Sequence, residues 1–191
     1  MPQVAAFQRL KTKRLELVAG TVDLIRAEIS DQDRFAALLE ARVHPTWAQE
    51  RDYQELMGSM AQRIEDAPAE TGWWSWYFVL RNRVTGSRVL IGNGGFKGPP
   101  DDEGNVEIGY SLLPPYRNKG YTTEAVQALV SWAFEHPEVE RVIAEARPGN
   151  TASVRVLHKV GFDEGGAGLQ RNHVRFELAR QDFISQRVRR S

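Results

Sequence analysis

The chain has 191 residues, with 25 Lys and Arg balanced by 25 Asp and Glu, which allows one well-buried domain and argues against a polyanion such as DNA as the main partner, since nucleic-acid-binding domains carry a basic excess. The absence of cysteine removes disulfide scaffolds, Cys-ligated zinc, iron–sulfur clusters and thiol nucleophiles together, and fits a reducing cytoplasm. No apolar run approaches the roughly 20 residues that span a bilayer, and Met1 to Leu10 are too polar for a signal peptide, so no membrane association is expected.

No internal repeat or Gly/Ser/Pro-rich linker divides the chain, so a single domain over 1–185 is expected, followed by a frayed, solvated basic tail over 186–191 carrying Arg187, Arg189 and Arg190. In chain order, Arg14 to Val18 alternates as a short strand, and Thr21 and Ser30 read as N-caps of two short helices, with Asp23 and Asp33 in their first turns. Between Gln49 and Glu65, Tyr53, Leu56, Met57, Met60 and Ile64 recur at steps of three and four, one face of a helix. Trp73 to Leu80 is apolar on both faces and predicts a central strand. Its three tryptophans, Trp73, Trp74 and Trp76, read as core filling. Arg88 to Lys97 follows through the turn at Thr85-Gly86. Glu103 to Leu112 then alternates, with Val106, Ile108 and Tyr110 on one face and Glu107, Gly109 and Ser111 on the other. An apolar stripe from Ala125 to Phe134 predicts a helix over Tyr121 to Glu135. A strand over Arg141 to Ala146, a helix from Thr151 to Val160 capped by Gly161, and a strand over Val174 to Ala179 complete the order. The predicted class is mixed α/β, with a mostly antiparallel sheet and helices on both faces.

The most informative stretch is Leu112 to Glu124, LLPPYRNKGYTTE. It joins an alternating strand to an amphipathic helix through a turn holding Arg117, Asn118, Lys119 and Gly120. Such a junction aims the N–H groups of the first helical turn, and the positive end of the helix dipole, at one spot. That makes a phosphate seat, where Gly120 admits close approach of the backbone and Arg117 and Lys119 supply charge. Neither GxxxxGK[ST] nor GxGxxG is present at this turn, so it is not a P-loop or a Rossmann fingerprint. The four histidines follow no metal-ligand spacing, and no metal is expected.

About thirty residues further on stands Asn150-Thr-Ala-Ser153-Val-Arg-Val-Leu157-His-Lys159-Val-Gly161-Phe162. With this second motif the chain resembles the GNAT family of acyl-CoA N-acyltransferases, and more closely its branch of ribosomal-protein alanine N-acetyltransferases. Arg117, Gly120 and Thr122 fill the family's phosphate motif, Thr122 being a departure from Gly or Ala. Asn150, Ser153, Leu157, Lys159, Gly161 and Phe162 match the later helix, and Glu107-Ile-Gly-Tyr110 resembles the family's strand before the turn. The resemblance implies a GNAT-like fold and an acetyl-CoA-dependent transfer of acetyl to a primary amine, either a peptide N-terminus or a small molecule. It implies a cofactor set of Leu112, Leu113, Arg117, Asn118, Lys119, Gly120, Tyr121, Thr122, Asn150 and Ser153. The pantetheine arm would enter where the strand ending at Leu112 parts from Arg141 to Ala146, with a backbone N–H near Leu112 facing the thioester carbonyl.

An acceptor amine, with a pKa of about 8 for an α-amine and about 10.4 for lysine, must lose a proton. Glu107, on the strand leading into the turn, is the candidate base, directly or through water. Where much of the wider family has an acidic tyrosine this chain has Leu157, so Ser153 is the candidate donor to the leaving thiolate. Without cysteine the amine would attack directly. A rival reading is an acyl-CoA-binding sensor without turnover, and a homodimer stays open.

Overall fold

The computed structural model describes residues 7–48, 50–169 and 171–190. Gln49, where the third helix is expected to begin, and Ser191 at the end of the expected tail lie outside them. The chain divides into two compact units, Met1–Gly94 and Gly95–Ser191.

In the first unit, strand β1 (Arg9–Lys11) pairs antiparallel with β2 (Leu15–Ala19), and β2 with β3 (Ser75–Arg81), in the register Leu10↔Leu17 and Leu17↔Phe78. β3 neighbours β4 (Arg88–Phe96) through a turn closed by the Asn82 N–H on the Ser87 carbonyl at 2.8 Å. β2 and the first five residues of β3 are buried throughout, which explains their lack of polar alternation. Helices α1 (Val22–Ser30), α2 (Gln32–Leu39) and α3 (Arg51–Asp66) lay Leu24, Ile25, Phe35, Met57, Ala61 and Ile64 onto Val18, Tyr77, Val79 and Leu90. The caps differ in one place from expectation. Thr21 caps α1, but Ser30 ends it, donating to the Arg26 carbonyl at 2.6 Å, and Asp31 caps α2 by accepting from the Arg34 N–H. A carboxylate accepts without having to donate, so it can serve a cap that the serine hydroxyl, committed to its own helix, leaves open.

Among the described residues of this unit two carboxyls are buried. Glu16 is bridged by Arg9 at 3.0 Å and Arg88 at 2.5 Å; burial alone would raise its pKa, but the two guanidiniums hold it below the usual carboxylate range. Glu28, 5% exposed, is instead surrounded by neutral donors from Trp47, Tyr53 and Tyr77.

In the second unit, β5 (Asn105–Leu112) pairs parallel with β6 (Arg141–Ala146), β6 antiparallel with β8 (Val174–Ala179), and β8 antiparallel with β7 (Asp163–Ala167). The β5–β6 pair is parallel while β1–β2, β2–β3, β6–β8 and β7–β8 are antiparallel, so the predicted mixed α/β class with mostly antiparallel strands is what forms. Helix α4 (Tyr121–Ala133) buries Ala125, Val126, Leu129, Val130 and Ala133, the predicted stripe. Helix α5 (Thr151–Val160) ends at Gly161, whose φ of 109° is the left-handed geometry a C-capping glycine supplies. The expected frayed tail is a correction: helix α6 (Arg180–Arg190) carries 186–190. Its first residue, Arg180, donates to the carbonyls of Phe134, His136 and Val139, and Gln186 donates to the Gly161 carbonyl at 3.1 Å. Arg187, Val188 and Arg189 stay exposed, so the segment is helical while remaining solvated. No described helix is long and apolar enough to cross a membrane.

Candidate functional site

The parallel register of β5 and β6 covers only Asn105↔Arg141, Val106↔Val142 and Glu107↔Ile143. Beyond Glu107 the two strands part, and Ile108–Leu112 has no β6 partner along that edge. An extended edge without its ladder presents N–H and C=O groups to whatever lies beside it.

The strand then runs into a short 3₁₀ turn over Pro114–Tyr116 and a tight reversal in which Asn118 (φ 60°) and Gly120 (φ 78°) are both left-handed. Asn tolerates that region through its short polar side chain, and glycine meets no Cβ penalty there. The reversal delivers the chain to α4 with Gly120 as N-cap and no side-chain cap. The N–H groups of a first helical turn have no carbonyl one turn back, so they face outward with the positive end of the dipole.

A cleft of about 610 Å³ opens here within the second unit. Its walls are Tyr110, Ser111 and Leu112 of β5, then Arg117, Asn118, Gly120, Thr122 and Thr123 of the turn and α4, and Asn150, Ala152, Ser153, Arg155, Val156 and Lys159 of α5. Three of these side chains are cationic and none is acidic. Together with the start of α4, this favours an anion.

Seven of the ten expected cofactor residues thus line one cavity: Leu112, Arg117, Asn118, Gly120, Thr122, Asn150 and Ser153. Leu113, Lys119 and Tyr121 are not among the lining residues. The Lys119 ammonium donates to the Pro115 carbonyl at 3.0 Å and lies 6.0 Å from the Tyr116 ring, so it braces the turn from within. Arg117 is anchored through Nε to the Leu112 carbonyl at 2.9 Å, a bond that ties the strand end to the turn and leaves the η nitrogens as donors.

The two expected catalytic residues are placed differently. Ser153 lines the cleft; its N–H donates to Asn150 Oδ1 at 3.2 Å, the N-cap of α5. Ser30 and Ser59 return their hydroxyls to carbonyls four residues back, whereas no such bond is made by the Ser153 hydroxyl among the described residues. Glu107 is not a lining residue. It sits at the last paired position of β5, in an ion pair with Lys97.

Several lining residues go beyond those the two motifs point to. Strand alternation places Tyr110 on the buried face with Val106 and Ile108; in the fold its phenol donates to the Ser153 carbonyl at 3.3 Å and thereby joins β5 to α5. Burial pushes that phenol up to about 12, against the lowering effect of the Ser153 side chain. Arg155 and Val156 stand three and four residues from Ala152 and four and three from Lys159, itself a residue of the second motif, and this helical period is the signal for Ala152, Arg155 and Val156 in the sequence. Among the described residues no group of three His, Asp or Glu is placed to hold a metal.

An acetyltransferase (GNAT) domain family model matches residues 22–163, well over half of the chain. YjdG of Bacillus subtilis (strain 168), described as an uncharacterized N-acetyltransferase, is 29% identical over 80% of this chain and 88% of its own length. The solved ribosomal-protein-S5-alanine acetyltransferase of Vibrio fischeri is similar with a TM-score of 0.64 at 18% identity, over 92% of this chain and 98% of that one. RimL, a ribosomal L7/L12 α-N-protein acetyltransferase solved in complex with coenzyme A, is similar with a TM-score of 0.59 at 16% identity, over 90% and 98%. At such identities these two structures speak for the fold. The family model together with the site's architecture leads to one conclusion: the chain belongs to the GNAT acetyltransferase family and is an N-acetyltransferase.

Proposed function

We propose that the cleft of the second unit holds acetyl-CoA and that the chain transfers the acetyl group to a primary amine, a peptide N-terminus or a small-molecule amine. The observation that carries this reading is the cleft itself: an uncapped helix start, three cations and no carboxylate, at the end of a strand edge that has lost its partner. That donor set fits a ligand with a pyrophosphate at one end and an amide-bearing arm at the other. When bound, acetyl-CoA supplies an acyl thioester open to nucleophilic attack.

The chain's own groups divide the work. The first turn of α4 and the Arg117 η nitrogens hold the pyrophosphate. The bare edge of β5 pairs with the amides of the arm, and a backbone N–H near Leu112 stabilises the oxyanion. The Ser153 hydroxyl relays a proton to the departing thiolate, giving up its own and regaining one from solvent water in the open cleft. Tyr110, committed to the Ser153 carbonyl, holds α5 in place. Glu107 takes up the amine proton through a water, since it is not itself a lining residue. Attack is direct, as no cysteine exists to carry the acyl group.

The test is calorimetric titration of CoA into wild type and Gly120→Glu, with circular dichroism to confirm that the variant folds. Placing a carboxylate in the seat removes charge-assisted hydrogen bonds, and the affinity is expected to drop about 10- to 100-fold. Unchanged affinity in the folded variant would overturn the assignment. For Glu107, the conservative Glu107→Gln should lower kcat/KM about 100-fold in a thiol-release assay; an unaltered pH–rate profile would remove it from the mechanism.

A further inference from the structure

The pyrophosphate seat proposed above uses the α4 turn and Arg117, and leaves two cations of the same cleft unused. Arg155 and Lys159 both line it from α5, one helical turn apart. Residues four apart on a helix stand about 6 Å from each other, so their charged ends can converge on one dianion. Both are exposed, neither makes an ion pair among the described residues, and no lining residue is acidic. Arg155 lies in the second turn of α5 and Lys159 in the last, so the N-cap end that holds Ser153 is distinct from the end that holds these charges. Along the axis, Lys159 is about 9 Å beyond Ser153 at 1.5 Å per residue. Two cations on an exposed face are usually solvated spares. Here they share a continuous face with Ala152 and Val156, which also line the cavity.

Coenzyme A carries three phosphoryl groups: two in the pyrophosphate and one as a monoester on the ribose 3′ oxygen. We infer that Arg155 and Lys159 form the subsite for that 3′-phosphate, and that through them the enzyme selects CoA over its 3′-dephosphorylated form. The inference rests on the coenzyme A reading of the cleft and adds the group that sets cofactor selectivity. A guanidinium supplies a planar fork and an ammonium a point charge, and together they satisfy the three terminal oxygens of a monoester better than either alone.

The experiment is a four-way titration: wild type and the Arg155→Gln/Lys159→Gln double variant, each with CoA and with 3′-dephospho-CoA, at one fixed ionic strength. Both substitutions are at exposed positions, and thermal melting checks that the fold is retained. Wild type is expected to prefer CoA by about tenfold or more. The double variant should bring that ratio to near unity by weakening CoA, while its affinity for dephospho-CoA stays within about twofold of wild type. Equal affinity of wild type for the two ligands, or a double variant that loses both in proportion, overturns the subsite and leaves the coenzyme A reading standing. Failure of wild type to bind either ligand overturns both.

Discussion

In the first unit Glu28 Oε1 accepts from Trp47 Nε1 at 2.6 Å and from the Tyr53 hydroxyl at 2.7 Å, Oε2 accepts from the Tyr77 hydroxyl at 2.6 Å, and Asn93 Nδ2 donates in turn to Tyr53. In the second unit some polar groups around the cleft find no such closure: a helix start without a side-chain cap, and Arg155 and Lys159 without ion pairs among the described residues. The first cluster closes on itself and holds together the loop at Trp47, α1, α3 and β3. Its carboxyl has no cationic partner among the described residues, and burial pushes its pKa above the usual range against the opposing effect of the three donors. The second cluster keeps donors that no described residue closes off, and under the proposed reading a bound anion completes it. The difference teaches that hydrogen-bond closure, more than polarity, separates a structural cluster from a binding one.

The comparison breaks most visibly at Glu28→Ala. A buried donor, Tyr77, and two half-buried ones, Trp47 and Tyr53, would lose their acceptor, and a loss of about 3 kcal/mol or more is expected in urea unfolding. A variant as stable as wild type would show that the cluster is not structural. Ser153→Ala should do the converse. It leaves stability unchanged but lowers kcat by about 10- to 100-fold with CoA affinity nearly intact, because the hydroxyl acts in the transition state. Retained kcat with a good acceptor would return the serine to a spectator on the helix.

Asn150→Ala lies between the two, since its side chain both caps α5 and lines the cleft. It should cost about 1 kcal/mol of stability and weaken CoA binding as well; a change in one property alone would place Asn150 in one class. The smallest effect is one of slope. The folded state raises the Glu28 pKa above its unfolded value, so this carboxyl's contribution to stability is fully present below the unfolded pKa and is lost as pH rises through the folded one. Glu28→Gln keeps the shape and turns the Tyr77 hydroxyl into an acceptor. Stability measured across acid to neutral pH should therefore fall less for the variant than for wild type. Parallel pH curves would show that Glu28 does not titrate between the two states.

Much of the second unit's site is legible in the sequence. The alternation of β5 and the stripe of α4 depend on local periodicity, which a linear string of residues retains, while the pairing of the Arg117 to Thr122 turn with the Asn150 to Phe162 helix is legible through its resemblance to the family's motifs. Less local features leave no such trace. β7 is Asp163–Ala167, exposed at every residue and paired through backbone to β8; a ladder made of main-chain groups carries no side-chain pattern to read. β1 is three residues long, too short for any period. The apolar run from Trp73 suggests that a strand starts there, but β3 begins at Ser75; Trp74 bonds Glu70 and lies under Arg63 at 5.2 Å.

What the sequence determined by itself was the class of fold, the turn that delivers a glycine to a helix start, and the polarity of the two motifs around it, because each rests on residues within about one helical turn or one strand of each other. The tertiary structure alone decided which of those residues share a cavity. It turned Lys119 inward to its own loop, brought Tyr110 against Ser153, placed Arg155 and Lys159 in the cleft wall, and ordered the basic tail as α6. It also gathered Glu28, Trp47, Tyr53, Tyr77 and Asn93 from separate elements into one hydrogen-bonded group. Such groupings follow from where chain segments distant in sequence come to rest, and a side chain's partner is set by that geometry and not by its neighbours along the chain.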